Sequence, residues 1–191
     1  MNIPLFPLNT VLYPGGPLPL RVFEPRYLDM VSNSMRTETP IGVVLIKDGN
    51  EVGPAPEIYD IGTLSEISYW HKRTDGLLGI TLKGTQRFNI KDIQINASQL
   101  ITADVELIDN IDEVALDDDN KHLATILENI LDQLDPPFKT IKRKLEDAEW
   151  LSARLLELLP AELGVKQSLL ESNKVSERLA VIDSILKDAK H

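Results

Sequence analysis

Cysteine is absent from this chain of 191 residues. Its absence excludes a disulfide framework, a thiolate zinc site, an iron–sulfur cluster and a cysteine nucleophile. Histidine is scarce: His71, His122 and His191 stand far apart with no i,i+4 partner, so the His-Glu-x-x-His pattern of zinc hydrolases is missing. No stretch approaches the ~20 apolar residues that span a bilayer. The N-terminus is broken by Pro4, Pro7 and Pro14 and lacks the basic start of a secretory signal. A soluble, cytoplasmic chain is expected. Positive charge is also short, since 20 Lys+Arg face 30 Asp+Glu for a net of −10. That is the wrong sign for neutralising phosphates, so neither nucleic acid nor membrane is an expected partner.

The residues that are present divide the chain in two. Six of the twelve prolines precede residue 26, and nine of the ten glycines precede residue 85. Up to residue 108 the apolar residues come in short runs between turn signals, as in an antiparallel sheet. The expected strands are 3–8, 18–23, 41–47, 61–70, 77–83, 87–95 and 100–108. In the last, Ile101, Ala103, Val105 and Leu107 alternate with polar residues. Asp75-Gly76 is the expected hairpin turn between the fourth and fifth strands. One early helix is expected after Pro25, with Leu28, Val31 and Met35 on one face.

Six acids and no Lys or Arg occupy residues 109–119, which reads as an extended, solvated acidic linker. Beyond it the period becomes helical: Leu123, Ile126, Leu127, Ile130, Leu131 and Leu134 share a face until Pro136-Pro137 stops them. A second helix is expected over 141–159, a third through Val175, Leu179, Ile182 and Leu186, and short helical pieces around 166–171. The division is a β-rich domain at 1–108, the linker at 109–119 and a helical bundle at 120–191.

Known chemical signatures are missing. No glycine loop precedes a helix to cradle phosphate, and Gly-x-Ser-x-Gly does not occur. Asp112, Glu113 and Asp117 to Asp119 lack the spacing and central glycine of a calcium loop. No cofactor, metal or catalytic residue is assigned. Lys139, Lys142, Arg143 and Lys144 form a basic cluster that reads as a charged helix face.

Aromatic residues make up only 5% of the chain, so their placement is informative. Tyr13 sits in a Pro-Gly-Gly loop expected to push it outward, and Tyr69-Trp70 lies beside the hairpin turn. Neighbouring strand residues point to opposite faces, so at least one of Tyr69 and Trp70 should be accessible. Tyr13, Tyr69 and Trp70 are the candidate protein-binding residues, forming an apolar patch for unfolded segments.

The opening Ile3-Pro4-Leu5-Phe6-Pro7-Leu8 is followed by Val11-Leu12-Tyr13-Pro14-Gly15-Gly16-Pro17-Leu18-Pro19-Leu20 and Phe23-Glu24-Pro25-Arg26-Tyr27. These blocks resemble the N-terminal substrate-binding domain of Lon proteases. Ile61-Gly62-Thr63, Asp75-Gly76-Leu77-Leu78-Gly79-Ile80 and Gly84-Thr85-Gln86-Arg87-Phe88 extend the resemblance in the style of short, free-standing Lon-domain proteins. Glu149-Trp150-Leu151, Leu158-Leu159-Pro160 and Lys166-Gln167-Ser168-Leu169-Leu170-Glu171 are similar to the family's helical part.

The resemblance implies an α+β fold, a PUA-like and mostly antiparallel pseudo-barrel followed by a helical bundle. It also implies a non-enzymatic module that recognises unfolded or misfolded protein segments, with an adaptor role in quality control as one reading. The ATPase loop and the Ser–Lys dyad of full Lon proteases have no counterpart in these residues. The alternative is an RNA-binding PUA-like protein, and homo-oligomerisation stays open.

Overall fold

The computed structural model describes residues 1–189; His191 lies outside them. The chain divides into two compact units, Met1–Asn110 and Ile111–His191.

The first unit carries β1 (Asn2–Leu8), β2 (Pro17–Val22), helix α1 (Pro25–Thr37), β3 (Ile41–Asp48), β4 (Glu57–Ile58), β5 (Ile61–Lys72), β6 (Leu78–Ile95) and β7 (Ile101–Ile108). The strand order is β1-β7-β6-β5-β3-β4, with β2 added to β6. A parallel pairing of β1 with β3, Leu5 opposite Gly42 through Leu8 opposite Leu45, closes a ring. All other pairings are antiparallel. The result is a ring of strands and not a regular barrel.

Two apolar clusters fill this unit because β1 and β3 alternate their side chains. Ile3, Leu5, Val44, Ile58, Leu64, Phe88, Ile101, Ala103 and Val105 meet in a cluster to which every ring strand contributes. Phe6, Leu8, Ile41 and Val43 point the other way, into a cluster with Val22, Ile80 and Leu82 and with Tyr27, Met30 and Val31 of α1. Phe88 needs the absence of side chains opposite it. A Cβ at Gly42 or at Gly62 would lie 2.8 Å from its Cζ.

The expectations for this unit need three amendments, two in its strands and one in its helix. The runs 77–83 and 87–95 are one strand, because Gly84-Thr85 forms a bulge and not a turn. Ser65 pairs with Gly84 and Leu64 with Gln86, while the Thr85 hydroxyl donates to Leu64 O at 3.1 Å. The two-residue β4 lacks any alternation long enough to read. On α1 the buried stripe is Tyr27, Met30, Val31 and Ser34, whereas Met35 is 44% exposed. The helix lies with Arg26 and Tyr27 inward, Arg26 donating to Gln99 O at 2.9 Å and Glu51 O at 3.3 Å. That rotates the expected face by one position.

The second unit contains α2 (Lys121–Gln133), α3 (Ala148–Leu158), α4 (Leu163–Glu171) and α5 (Val175–Asp188). Leu123, Leu127 and Leu131 are its fully buried α2 stripe. The helix expected over 141–159 begins only at Ala148, since Asp147 caps it by accepting from Glu149 N at 3.1 Å. The chain before it is engaged otherwise. Leu116 N donates to Glu146 O and Ala148 N to Val114 O, making a bridge of Ala115 with Asp147. Part of the acidic stretch is therefore paired backbone, with Leu116 buried.

The basic cluster is consequently not a helix face. Arg143 pairs with Glu128 and Asp132 of α2, and Lys144 pairs with Glu113. Buried arginines finish the packing: Arg178 of α5 donates to Glu149 of α3 at 3.1 Å and to Leu169 O of α4 at 3.2 Å. Both units hold their own cores, as an α+β chain of this composition requires.

Candidate functional site

The three aromatic candidates separate in the structure. Tyr13 is 0% exposed, which corrects the expectation that its loop turns it outward. Pro14 and Gly15 form the centre of a type II turn, with Gly15 at φ 78° and Gly16 N donating to Tyr13 O at 3.1 Å. The turn does not project; it is clamped to β6. Gly15 N donates to Gly84 O at 2.8 Å and Gly84 N to Gly16 O at 2.9 Å, while Thr63 Oγ1 holds Leu12 O at 2.6 Å. A Cβ at Gly84 would come within 2.4 Å of Tyr13 O, so glycine there is what lets the turn lie flat. Tyr13 is therefore a core residue and leaves the candidate site.

Tyr69 and Trp70 are both exposed, at 60% and 55%. The reason lies in the pairing of β5. Along Thr63 to Ser65 this strand bonds both β3 and β6, but over residues 66–72 it bonds β6 alone. With β2 on the far side of β6, this end is a three-stranded flap whose outer strand is the open end of β5.

A second bulge decides which aromatic points where. Ile67 opposes Leu82 and Tyr69 opposes Thr81, so Ser68 is the extra residue, its hydroxyl donating to Thr81 O at 3.1 Å. After the bulge Trp70 shares a face with Ile67, in a row that runs from Leu20 of β2 through Ile80 of β6. Ile80 is core, whereas Trp70 overhangs the edge. Tyr69 faces the other way and stacks on His71, ring centres 5.4 Å apart. His71 lies over Gly79, where any Cβ would be 2.4 Å from the imidazole.

Beside the open edge runs a groove of about 770 Å³. One wall is β5 from Leu64 to Trp70; the other is the end of α1 and the following loop, with Ser34, Met35, Glu38, Thr39 and Pro40. Met35, Ile67 and Trp70 supply its apolar surface. Glu38 and Glu66 are its carboxylates, both exposed. At the hairpin tip Asp75 accepts from Leu77 N at 3.1 Å and from Arg73 Nε at 3.0 Å. These two donors, the backbone one first, hold its carboxyl below the usual aspartate range. Arg73 is thereby engaged, and Lys72 is the cation left on the strand edge.

Met35 was legible as apolar but misassigned to the core. Nothing in the order of residues marks Glu38 or the missing β3 partner, since both depend on where the chain returns. Among the described residues no group of three or more His, Asp or Glu side chains is placed to hold a metal ion, and no helix is long and apolar enough to cross a membrane.

The arrangement can be compared with known proteins. A family model described as the ATP-dependent protease La (LON) substrate-binding domain matches residues 2–188. The chain belongs to this family. Among LON relatives, the Lon protease of Buchnera aphidicola (subsp. Acyrthosiphon pisum) is 28% identical over 98% of this chain, and that of Anaeromyxobacter dehalogenans 24% over 96%. The chain spans about a quarter of the length of these curated relatives, 25% and 23%. The crystal structure of a Lon N-terminal domain protein from Xanthomonas campestris superposes with TM-score 0.76 at 34% identity, covering 96% of this chain and 98% of that one. The N-terminal domain of Mycobacterium avium complex Lon protease has the same fold, with TM-score 0.64 at 17% identity, 98% of this chain and 99% of that one. The PUA-like expectation for the β-rich unit is consistent with both neighbours.

Proposed function

We propose that this chain is a protein-recognition module that binds exposed apolar segments of unfolded or misfolded proteins, at the groove between α1 and β5. The single observation that carries the reading is Trp70. A large aromatic, half exposed at the end of a core row and beside an open strand edge, is costly to leave wet unless something covers it. Tyr69 on the opposite face and Met35 across the groove extend the surface. Membership of the LON substrate-binding family supports a substrate-binding role, and an adaptor role in quality control is the cellular form we propose for it.

The module is proposed to act without catalysis of its own: the matched region is the substrate-binding part of the Lon proteases, and no nucleotide-binding glycine loop occurs in these residues. Protein rather than RNA is favoured by the net charge of −10. The test is fluorescence anisotropy with a labelled, permanently unfolded polypeptide. Trp70→Ala is expected to weaken binding about tenfold at unchanged stability. Equal binding by Trp70→Ala and by a Tyr69→Ala/Met35→Ala variant would remove the site.

A further inference from the structure

The flap has two edges, and they are not equivalent. On the β2 side Pro17 and Pro19, opposite Lys83 and Thr81, have no N–H to donate to an incoming strand. On the β5 side residues 66–72 contain no proline and face no strand. Seven residues at about 3.3 Å each give roughly 23 Å of unpaired edge. One edge is blunted and the other is left able to pair.

The groove restricts what can pair there. Its far wall, Ser34 to Pro40, stands opposite the edge, so an incoming strand has the helix end on its other side. A single extended segment fits that geometry; the edge strand of a second folded sheet would bring its own neighbours into the wall. Charge along the edge is graded. Glu38 and Glu66 lie at the Ser65 end, and Lys72 lies at the hairpin end, where Asp75 is already held by Arg73. Arg21 and Lys83 add positive charge on the neighbouring strands, so residues 17–22 and 66–83 together are net positive in a chain of −10.

Resting on the function proposed above, we infer that the occupant is one extended protein segment added as a strand to β5, apolar at alternate positions, with an acidic residue at the end that meets Lys72. Side chains on the Ile67 and Trp70 face enter the apolar part of the groove, and those between them face the Tyr69 side, where polar groups are tolerated. A carboxylate near Lys72 is attracted and one near Glu38 and Glu66 is repelled.

The experiment uses fluorescent ten-residue peptides of alternating Val and Ser with two Asp at one terminus, made in both sequence orders, and the same peptides with Lys for Asp. One order of the Asp peptide is expected to bind at least about fivefold more tightly than its Lys counterpart, with the preference reversed in Lys72→Glu. N-methylation of alternate amides is expected to weaken binding about tenfold in one phase of the alternation and little in the other. Since that arm alters only the peptide, it does not depend on a variant folding. If Asp and Lys peptides bind alike, or neither phase of methylation matters, while the unfolded polypeptide still binds through Trp70, strand addition is wrong and the recognition function stands. If neither peptide nor unfolded polypeptide binds, both readings fall. Displacement of the peptide by single-stranded RNA, or loss of peptide binding as the protein dimerises with concentration, would overturn the inference in favour of RNA or a second copy.

Discussion

At the scale of single residues, burial separates aromatics that look alike in the sequence. Tyr13 is sealed under a turn clamped to β6, so Tyr13→Ala removes a packed ring and is expected to cost about 3 kcal/mol or more in urea unfolding. Tyr69→Ala and Trp70→Ala remove rings that mostly contact water and are expected to change stability by less than about 1 kcal/mol. Tyr27 makes a different prediction. It stacks on Phe6 with ring centres 4.4 Å apart, and burial, partly offset by the adjacent Arg26, pushes its hydroxyl up to about 12 from an ordinary 10.0. An acid whose folded value is raised favours its neutral form in the fold. Its stability contribution is thus fully present below pH 10 and is lost as pH climbs from 10 towards 12. About 2–3 kcal/mol should disappear across that window relative to Tyr27→Phe, measured as the difference between the two urea curves at each pH.

Elements are where the reading of pattern and the folded chain part company. Alternation and turn chemistry placed six of the seven strands and the Asp75-Gly76 hairpin, where Gly76 adopts φ 84°. Two of the failures share one cause: a partner distant in sequence took over a local group. Residues 141–147 have helical residues yet are diverted by the strand-like bridge to Val114–Leu116, and Gly84 looks like a turn yet seats the Tyr13 turn. Asp147 is the hinge of the first case, accepting from Val114 N and Glu149 N, both at 3.1 Å. Asp147→Ala orphans both donors and is expected to lower stability by about 1–2 kcal/mol, more than Asp147→Asn, as read from thermal unfolding.

For the whole molecule, the two units Met1–Asn110 and Ile111–His191 each bury their own apolar residues. We propose that they are separable, with residues 109–113 as the vulnerable connection. Limited proteolysis is expected to cut there first and leave two fragments that resist further digestion. One cooperative unfolding transition, with neither fragment persisting, would instead make the chain a single folding unit.

What the sequence by itself determined is the class of the molecule: a β-rich half and a helical half, a net negative charge, no cysteine, and a resemblance that the family match substantiates. Those properties follow from composition and short-range period, which the residues carry whatever the chain does later. Tertiary structure alone decided the site. That Trp70 overhangs a groove, that Met35 faces it and that Tyr13 does not depend on where β3 stops pairing with β5 and on a bulge at Ser68. Strand partners 20 or more residues apart, such as Ile41 and Ser65, are chosen by the closing of the ring. No local pattern encodes which stretch of a strand will be left without a neighbour, and that unpaired stretch is where we propose that this protein binds.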